Sequence, residues 1–244
     1  MAKSIRNTLI YNGIPSIPMR KEANHRSEMV SELLHGEPFR ILESLNEEWV
    51  KIQTELDQYT AWVSANQLCP LSKPTTTLIK RPIAYNSNGQ IVGYLSGYTH
   101  PSAVTDHPST NDTQPISQSE EKLIAHSKAF LGTPYLWGGK TLHGIDCSGF
   151  VQVIFRQMNQ QLPRDAYQQV QIGDNRSWNE RQVGDLAFFR ENGRISHVGI
   201  LLDANQIIHA SGWVRIDQID QKGIIHNGKY THELDCIKNL RIFD

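Results

Sequence analysis

The spacing of apolar residues changes character near residue 115, and that change limits the possible folds more than any other feature. Ahead of it, short apolar stretches such as PFRILESL, EWVKIQTEL, YTAWVSANQL and GQIVGYLSGY alternate with turn-forming residues. Runs of this length, broken by Gly, Pro and Asn, build strands. Asn-Gly at 88–89, between two such stretches, predicts a hairpin. The segment THPSAVTDHPSTNDTQPISQ (99–118) has the composition of an interdomain linker. Beyond it the period becomes helical. SQSEEKLIAHSKAFLG opens with Ser117 and Glu120 in a capping pattern and stops at Gly132. A second helix begins at Cys147, with Phe150, Val151, Ile154, Phe155 and Met158 facing a core. GDLAFFR, HVGILLD, QIIHASG and DCIKNLRIF then read as strands of an antiparallel meander. The class is α+β: a small, strongly bent β structure, then a domain of helices and an antiparallel sheet.

Bulk composition excludes several partner classes. With 244 residues, 20% charged and a net charge of −1, the chain has no electrostatic footprint for nucleic acid or an anionic membrane. No apolar run approaches the roughly 18 residues of a membrane span. The first twenty residues hold no apolar segment of signal-peptide length, so the expected location is cytoplasmic, or periplasmic or secreted if a leader has been removed. Three widely spaced cysteines, Cys69, Cys147 and Cys236, argue against a disulfide framework and fit a reducing compartment.

The middle cysteine stands in GIDCSGF (144–150). Asp146 is placed to cap the helix, which puts Cys147 in its first turn, where free amides and the macrodipole favour a thiolate. Gly149 leaves room for a substrate backbone. A thiol nucleophile needs a base, and His197 and His209 lie twelve residues apart on adjacent strand-like stretches. They share a face of a hairpin only if its loop has three or five residues; a four-residue loop would separate them. On one face, His197 acts as base and His209 orients it. Two other readings stay open on the residues alone. Cys147 is equally a small buried hydrophobe. Cys147, His197, His209 and His143 could also bind zinc, although no close-spaced ligand pair closes such a site.

GTPYLWGGKTLHGIDCSGFV, LPRDAYQQ, VGDLAFF, SHVGILL and IIHASG, in that order over 119–244, resemble the NlpC-type papain-like cysteine peptidases that cut peptidoglycan peptides. The resemblance implies Cys147 as nucleophile, His197 as base, His209 as orienting residue and Tyr135 near the oxyanion site, with the Cys147 amide as a second donor. The preceding SEMVSELLHGEPFRIL and EWVKIQTELDQYTAWV look like the bacterial SH3-like module of the YkfC-type subgroup, a small β-barrel. Members of that subgroup are γ-D-glutamyl-L-diamino-acid endopeptidases acting on murein peptides with a free N-terminal L-Ala. The implied substrate contacts are Glu28 and Tyr59 from the SH3-like module, and Asp146, Ser148, Asp165, Ala166 and Ser196 from the peptidase domain. Arg164 is assigned a structural role. Ala166 stands where the subgroup often has serine, so any contact there comes from the backbone.

The expected organisation is an SH3-like domain at 1–70, a β extension or truncated second module with linker at 71–115, and a cysteine peptidase domain at 116–244. The implied substrate is a murein tri- or tetrapeptide. No cofactor or metal, nucleic acid or membrane is implied, and the sequence does not give the oligomeric state. Two rivals share the scaffold: an amidase or acyltransferase using the same Cys/His/His set, and a wall-peptide-binding protein without catalysis. Trp49 and Trp62 are expected in the SH3-like core, and Cys69 and Cys236 as buried filler.

Overall fold

A computed structural model describes residues 8–73, 77–79, 83–85, 90–94, 97–99 and 119–243. Asn-Gly at 88–89 and nearly all of the expected linker lie outside them. The chain divides into two compact units: Met1–Ile116 with Trp137–Thr141, and Ser117–Leu136 with Leu142–Asp244.

The first unit is built on strands β1 (Ile10–Tyr11), β2 (Ser16–Arg20), β3 (Met29–Leu34), β4 (Pro38–Ser44), β5 (Trp49–Thr54) and β6 (Thr60–Ser64). They form one antiparallel sheet in the order β1-β4-β5-β6-β2-β3. Alternation puts Ile17 and Met19 of β2, Ile52 of β5, and Ala61 and Val63 of β6 on one face, where they close over Leu33 and Phe39. Bulges in the β2–β3 and β4–β5 pairings bend the sheet, as a small barrel requires. Trp49 is buried, but Trp62 is half-buried, with the Lys51 ammonium 5.7 Å from its ring. Cys69, expected inside, is exposed, because it follows the last strand of the barrel and packs against none of its core. Cys236 is half-buried.

Residues 77–99 add two short antiparallel ribbons. β7 (Thr77–Leu78) pairs with β10 (Tyr98–Thr99), and β8 (Ile83–Tyr85) with β9 (Ile91–Tyr94). They group with the first unit. Within that unit the Lys140 ammonium is buried against the Glu37 carboxylate (3.2 Å). Glu37 also accepts from the Leu34 amide (2.8 Å).

The second unit begins with α1 (Glu120–Lys128), capped by Ser119, whose hydroxyl accepts from the Lys122 amide (3.3 Å). The cap therefore lies two residues beyond the expected Ser117, which is outside the described residues. Gly132 turns the chain at φ +84°, a conformation side chains resist. The short strands β11 (Lys140–Thr141, in the first unit) and β12 (Gly144–Ile145) precede α2 (Cys147–Gln157) and α3 (Ala166–Gln169). All of α2 is buried, and it packs on the sheet.

That sheet comprises β13 (Asp174–Arg176), β14 (Leu186–Glu191), β15 (Arg194–Leu201), β16 (Gln206–Ser211), β17 (Trp213–Asp220), β18 (Gly223–His226) and β19 (Lys229–Asn239). Its order is β13-β19-β14-β15-β16-β17-β18, and β19 also pairs with β18. The meander from β14 to β19 thus closes on itself, with β13 appended. Phe189, Leu201, Ile207, Ile219, Ile224 and Ile237 pack together on one face. The sequence reading anticipated the meander but neither β17, β18 nor the closure.

Candidate active site

Asp146 caps α2: its Oδ1 accepts from the Gly149 amide at 2.7 Å. This is the local reason Cys147 begins the helix. The capping carboxylate is also held in a fork by Arg164, Nη1 to Oδ1 at 3.0 Å and Nη2 to Oδ2 at 2.5 Å. Arg164 Nη1 reaches the Ser148 hydroxyl too (3.0 Å). Arg164, Asp146 and Ser148 are all buried, so the Asp146 charge is matched inside the protein by the guanidinium. Gln169 ties the same corner together, donating to the Ser148 and Pro163 carbonyls (3.0 and 2.9 Å). Asp165 and Ala166 open α3, half-buried, with the Asp165 amide donating to Gln168 Oε1 (3.3 Å).

Burial pushes the Cys147 thiol up to about 12, and the Asp146 charge adds to this. Amides of Val198 and Ser148, donating to the sulfur, and Arg164 pull the other way. The expected thiolate at the helix start is therefore not the resting form, because desolvation outweighs the helix terminus. Burial likewise holds His197 well below the usual histidine range, with His209, His232 and Arg215 adding to the effect. Burial thus favours the neutral thiol and the neutral imidazole.

The hairpin condition is met. Ile200 pairs with Ile208 and Leu201 with Ile207, and the Leu202 amide donates to the Gln206 carbonyl. This leaves a three-residue loop, Asp203–Asn205, so His197 and His209 share a face. His197 Nε2 and His209 Nδ1 are 2.8 Å apart. Gly199 makes that contact possible. A Cβ there would lie 2.9 Å from His209 Cβ and 2.7 Å from Ile207 Cδ1.

Behind His209 stands a residue the sequence reading missed. Asp217 Oδ2 lies 3.0 Å from His209 Nε2 and accepts from Arg215 Nε at 2.8 Å, and Oδ1 lies 2.8 Å from His226 Nδ1. These bonds hold the Asp217 carboxyl well below the usual carboxylate range despite its desolvation. His232, also missed, stacks on His197 with ring centroids 4.2 Å apart and planes at 27°. Burial lowers it to about 4, so it too is neutral near pH 7.

Three β-bulges gather these groups. Phe189 faces His197 and Arg190 faces Ile195, so Ser196 is the extra residue of β15. Asp235 and Thr231 are the extra residues of β19 against β14 and β18. Each bulge re-aims neighbouring side chains. A cleft of about 390 Å³ results, lined by Tyr135, Ser196, His197, Ser211 and His232 among others. The Tyr135 hydroxyl is raised by burial and by the neighbouring Cys147 and Asp146, which keeps it a proton donor.

Glu28 and Tyr59 belong to the first unit. The exposed Glu28 carboxylate accepts from Trp137 Nε1 (2.8 Å) and pairs with Lys21 (3.1 Å). Tyr59 packs on the barrel core and its amide donates to Thr54 Oγ1 (2.9 Å). His143, the fourth candidate zinc ligand, is exposed, and among the described residues no group of three His, Cys, Asp or Glu could hold a metal ion.

Comparison with known proteins agrees with this architecture. Residues 19–68 match the model of the bacterial dipeptidyl-peptidase SH3 domain, and residues 132–233 that of the NlpC/P60 family. The chain is 32% identical over 177 residues to the gamma-D-glutamyl-L-lysine dipeptidyl-peptidase of Bacillus subtilis (strain 168), covering 62% of this chain and 60% of that protein. It is 39% identical over 122 residues to the "Probable endopeptidase NlpC" of Escherichia coli (strain K12), covering 48% of this chain and 76% of that protein. A crystal structure of an NlpC/P60 family protein from Bacillus cereus ATCC 10987 shares the fold, with a TM-score of 0.72 at 18% identity over 96% of this chain and 99% of that one. With an SH3-like small β-barrel domain followed by a papain-like domain, the chain belongs to the NlpC/P60 family.

Proposed function

We propose that this chain is a cysteine peptidase that hydrolyses the γ-D-glutamyl–L-diamino acid bond of short murein peptides carrying a free N-terminal L-Ala, releasing L-Ala-γ-D-Glu. The observation that carries the reading is a buried helix-start cysteine whose sulfur accepts from the amide of Val198, the residue after His197, with His197 and His209 in hydrogen-bond contact at 2.8 Å, in a chain that also carries the dipeptidyl-peptidase type of SH3 domain. The similarity to the Bacillus subtilis dipeptidyl-peptidase supports the bond assigned.

Cys147 Sγ attacks the γ-carbonyl carbon while its proton passes to His197. The oxyanion takes hydrogen bonds from the Cys147 amide and the Tyr135 hydroxyl. His197 then gives its proton to the diamino-acid nitrogen, the C–N bond breaks, and a thioester remains. Water attacks that thioester and loses a proton to His197, the C–S bond breaks and the thiol regains its proton. Because thiol and imidazole start neutral, proton transfer accompanies attack. The resemblance to the YkfC-type subgroup assigns Glu28 and Tyr59 to recognition of the free α-ammonium; it also assigns Asp146, Ser148, Asp165, the Ala166 backbone and Ser196 to substrate contacts. A free N-terminus marks a released fragment, not lactyl-linked wall, which suits cytoplasmic recycling of tri- and tetrapeptides.

The test is a mass-spectrometric digest of L-Ala-γ-D-Glu-L-Lys beside its N-acetylated form, wild type against Cys147→Ala. Cleavage of the free-amine peptide alone, abolished by the substitution, is the expected result. Equal cleavage of both peptides removes Glu28 and Tyr59 from recognition, and cleavage of neither overturns the peptidase reading.

A further inference from the structure

We infer that Asp217 is a positioning residue that fixes the protonation pattern of both histidines and so selects which nitrogen of His197 serves as base. The inference rests on the reading of Cys147 and His197 as nucleophile and base. It follows from the hydrogen-bonding capacity of each group in the chain Asp217–His209–His197. An ionised carboxylate only accepts. Asp217 also faces Arg215 Nε and His226 Nδ1, both at 2.8 Å, and this company keeps it ionised.

The 3.0 Å contact of Asp217 Oδ2 with His209 Nε2 therefore requires a proton on that nitrogen. His209 is buried and its protonated form disfavoured, so the ring carries one proton and Nδ1 is bare. Bare Nδ1 must accept across its 2.8 Å contact with His197 Nε2, which places the His197 proton on Nε2. His197 Nδ1 is then the free lone pair. The Cys147 sulfur accepts from the amide of Val198, the residue after His197, so the thiol lies at this same stretch of β15. One carboxylate thereby orders two protons and leaves a base.

The register makes this possible. His209 pairs with Arg215, and Asp217 lies two residues further along β17 on the same face. An amide at 217 can turn its NH2 toward His209 Nε2. That reverses the chain: His209 protonates at Nδ1, His197 accepts at Nε2 and carries its proton on Nδ1, and the base is lost.

The test is nitrogen-15 NMR of the histidine side chains of the full chain, for wild type, Asp217→Asn and Asp217→Glu, with kcat and KM on L-Ala-γ-D-Glu-L-Lys. Wild type is expected to show His197 and His209 both protonated at Nε2. Asp217→Asn is expected to move both protons to Nδ1 and lower kcat by about 10²- to 10⁴-fold with KM nearly unchanged. Asp217→Glu, which keeps the acceptor, restores the tautomers and part of kcat. A wild-type spectrum with His209 protonated at Nδ1 overturns the inference, even if the asparagine variant does not fold. So does Asp217→Asn with kcat within threefold of wild type. A wild type with the expected tautomers and no hydrolysis refutes the peptidase reading while leaving the proton order standing.

Discussion

Arg164→Met isolates the electrostatics around Cys147. Arg164 and Asp146 are 1% and 5% exposed and meet in a two-pronged contact of 3.0 and 2.5 Å. Methionine fills much of the volume but removes the guanidinium that faces the buried Asp146 carboxylate. Breaking a buried pair in this way costs about 3–5 kcal/mol, mostly the desolvation of the orphaned charge. Solvent screening gives little relief at that depth. Arg164 also lowers the Cys147 thiol while Asp146 raises it, so the variant shifts the thiol further up and slows attack. Because two units can unfold separately, the assay is hydrogen exchange at the α2 amides of Phe150 to Phe155, which reads the second unit directly. Their slowest exchange is expected to accelerate by roughly two to more than three orders of magnitude, from 1.4 kcal/mol per tenfold. Asp146→Asn added to Arg164→Met removes the orphaned charge but keeps the cap for the Gly149 amide, and is expected to recover most of the loss. A single variant less than about 1 kcal/mol below wild type, or a double variant no better than the single, refutes the reasoning.

Two further outcomes follow from the histidine cluster. Gly199→Ala places a methyl 2.9 Å from His209 Cβ, so kcat should fall at least tenfold with the fold retained by circular dichroism; unchanged kcat would show that His209 can give way. Burial lowers His197 and His209, so the unfolded chain takes up protons near pH 6.5 while the folded one does not. Stability is full above pH 6.5 and falls as the pH drops below it. His197 loses about 1 kcal/mol between pH 6.5 and 5.5, and His209 adds to the loss. Denaturant titrations at those two pH values check this, and a flat profile refutes the burial effect.

The positions of Cys147, His197 and His209 were legible because they follow from chain-local rules. Asp146 had to cap, which put Cys147 at a helix start. The parity of one hairpin loop decided whether His197 and His209 could meet. Asp217 was hidden because it needed a second hairpin. WVRIDQID mixes charged and apolar residues without the plain alternation that signals a half-buried strand, since Asp217 and Ile219 share the inward face of a closed sheet. The available signal was the Ser-Gly at 211–212. A turn at Gly212 sets Arg215 opposite His209 and Asp217 two residues on.

The bulges could not be read at all, and they explain why the cleft was not foreseen. Strict alternation would point Ser196 away from His197, and Thr231 away from His232. One extra residue in each strand brings both neighbours to the same cleft. A bulge is a relation between two strands, not a property of either sequence, so its cause lies in the closure of β14 to β19 and not in any single motif. The cleft takes polar groups from consecutive residues such as Ser196 and His197, and a regular strand offers them to one face only on alternate ones. The irregular register of this sheet is therefore what allows a barrel with an apolar interior to carry a polar cleft.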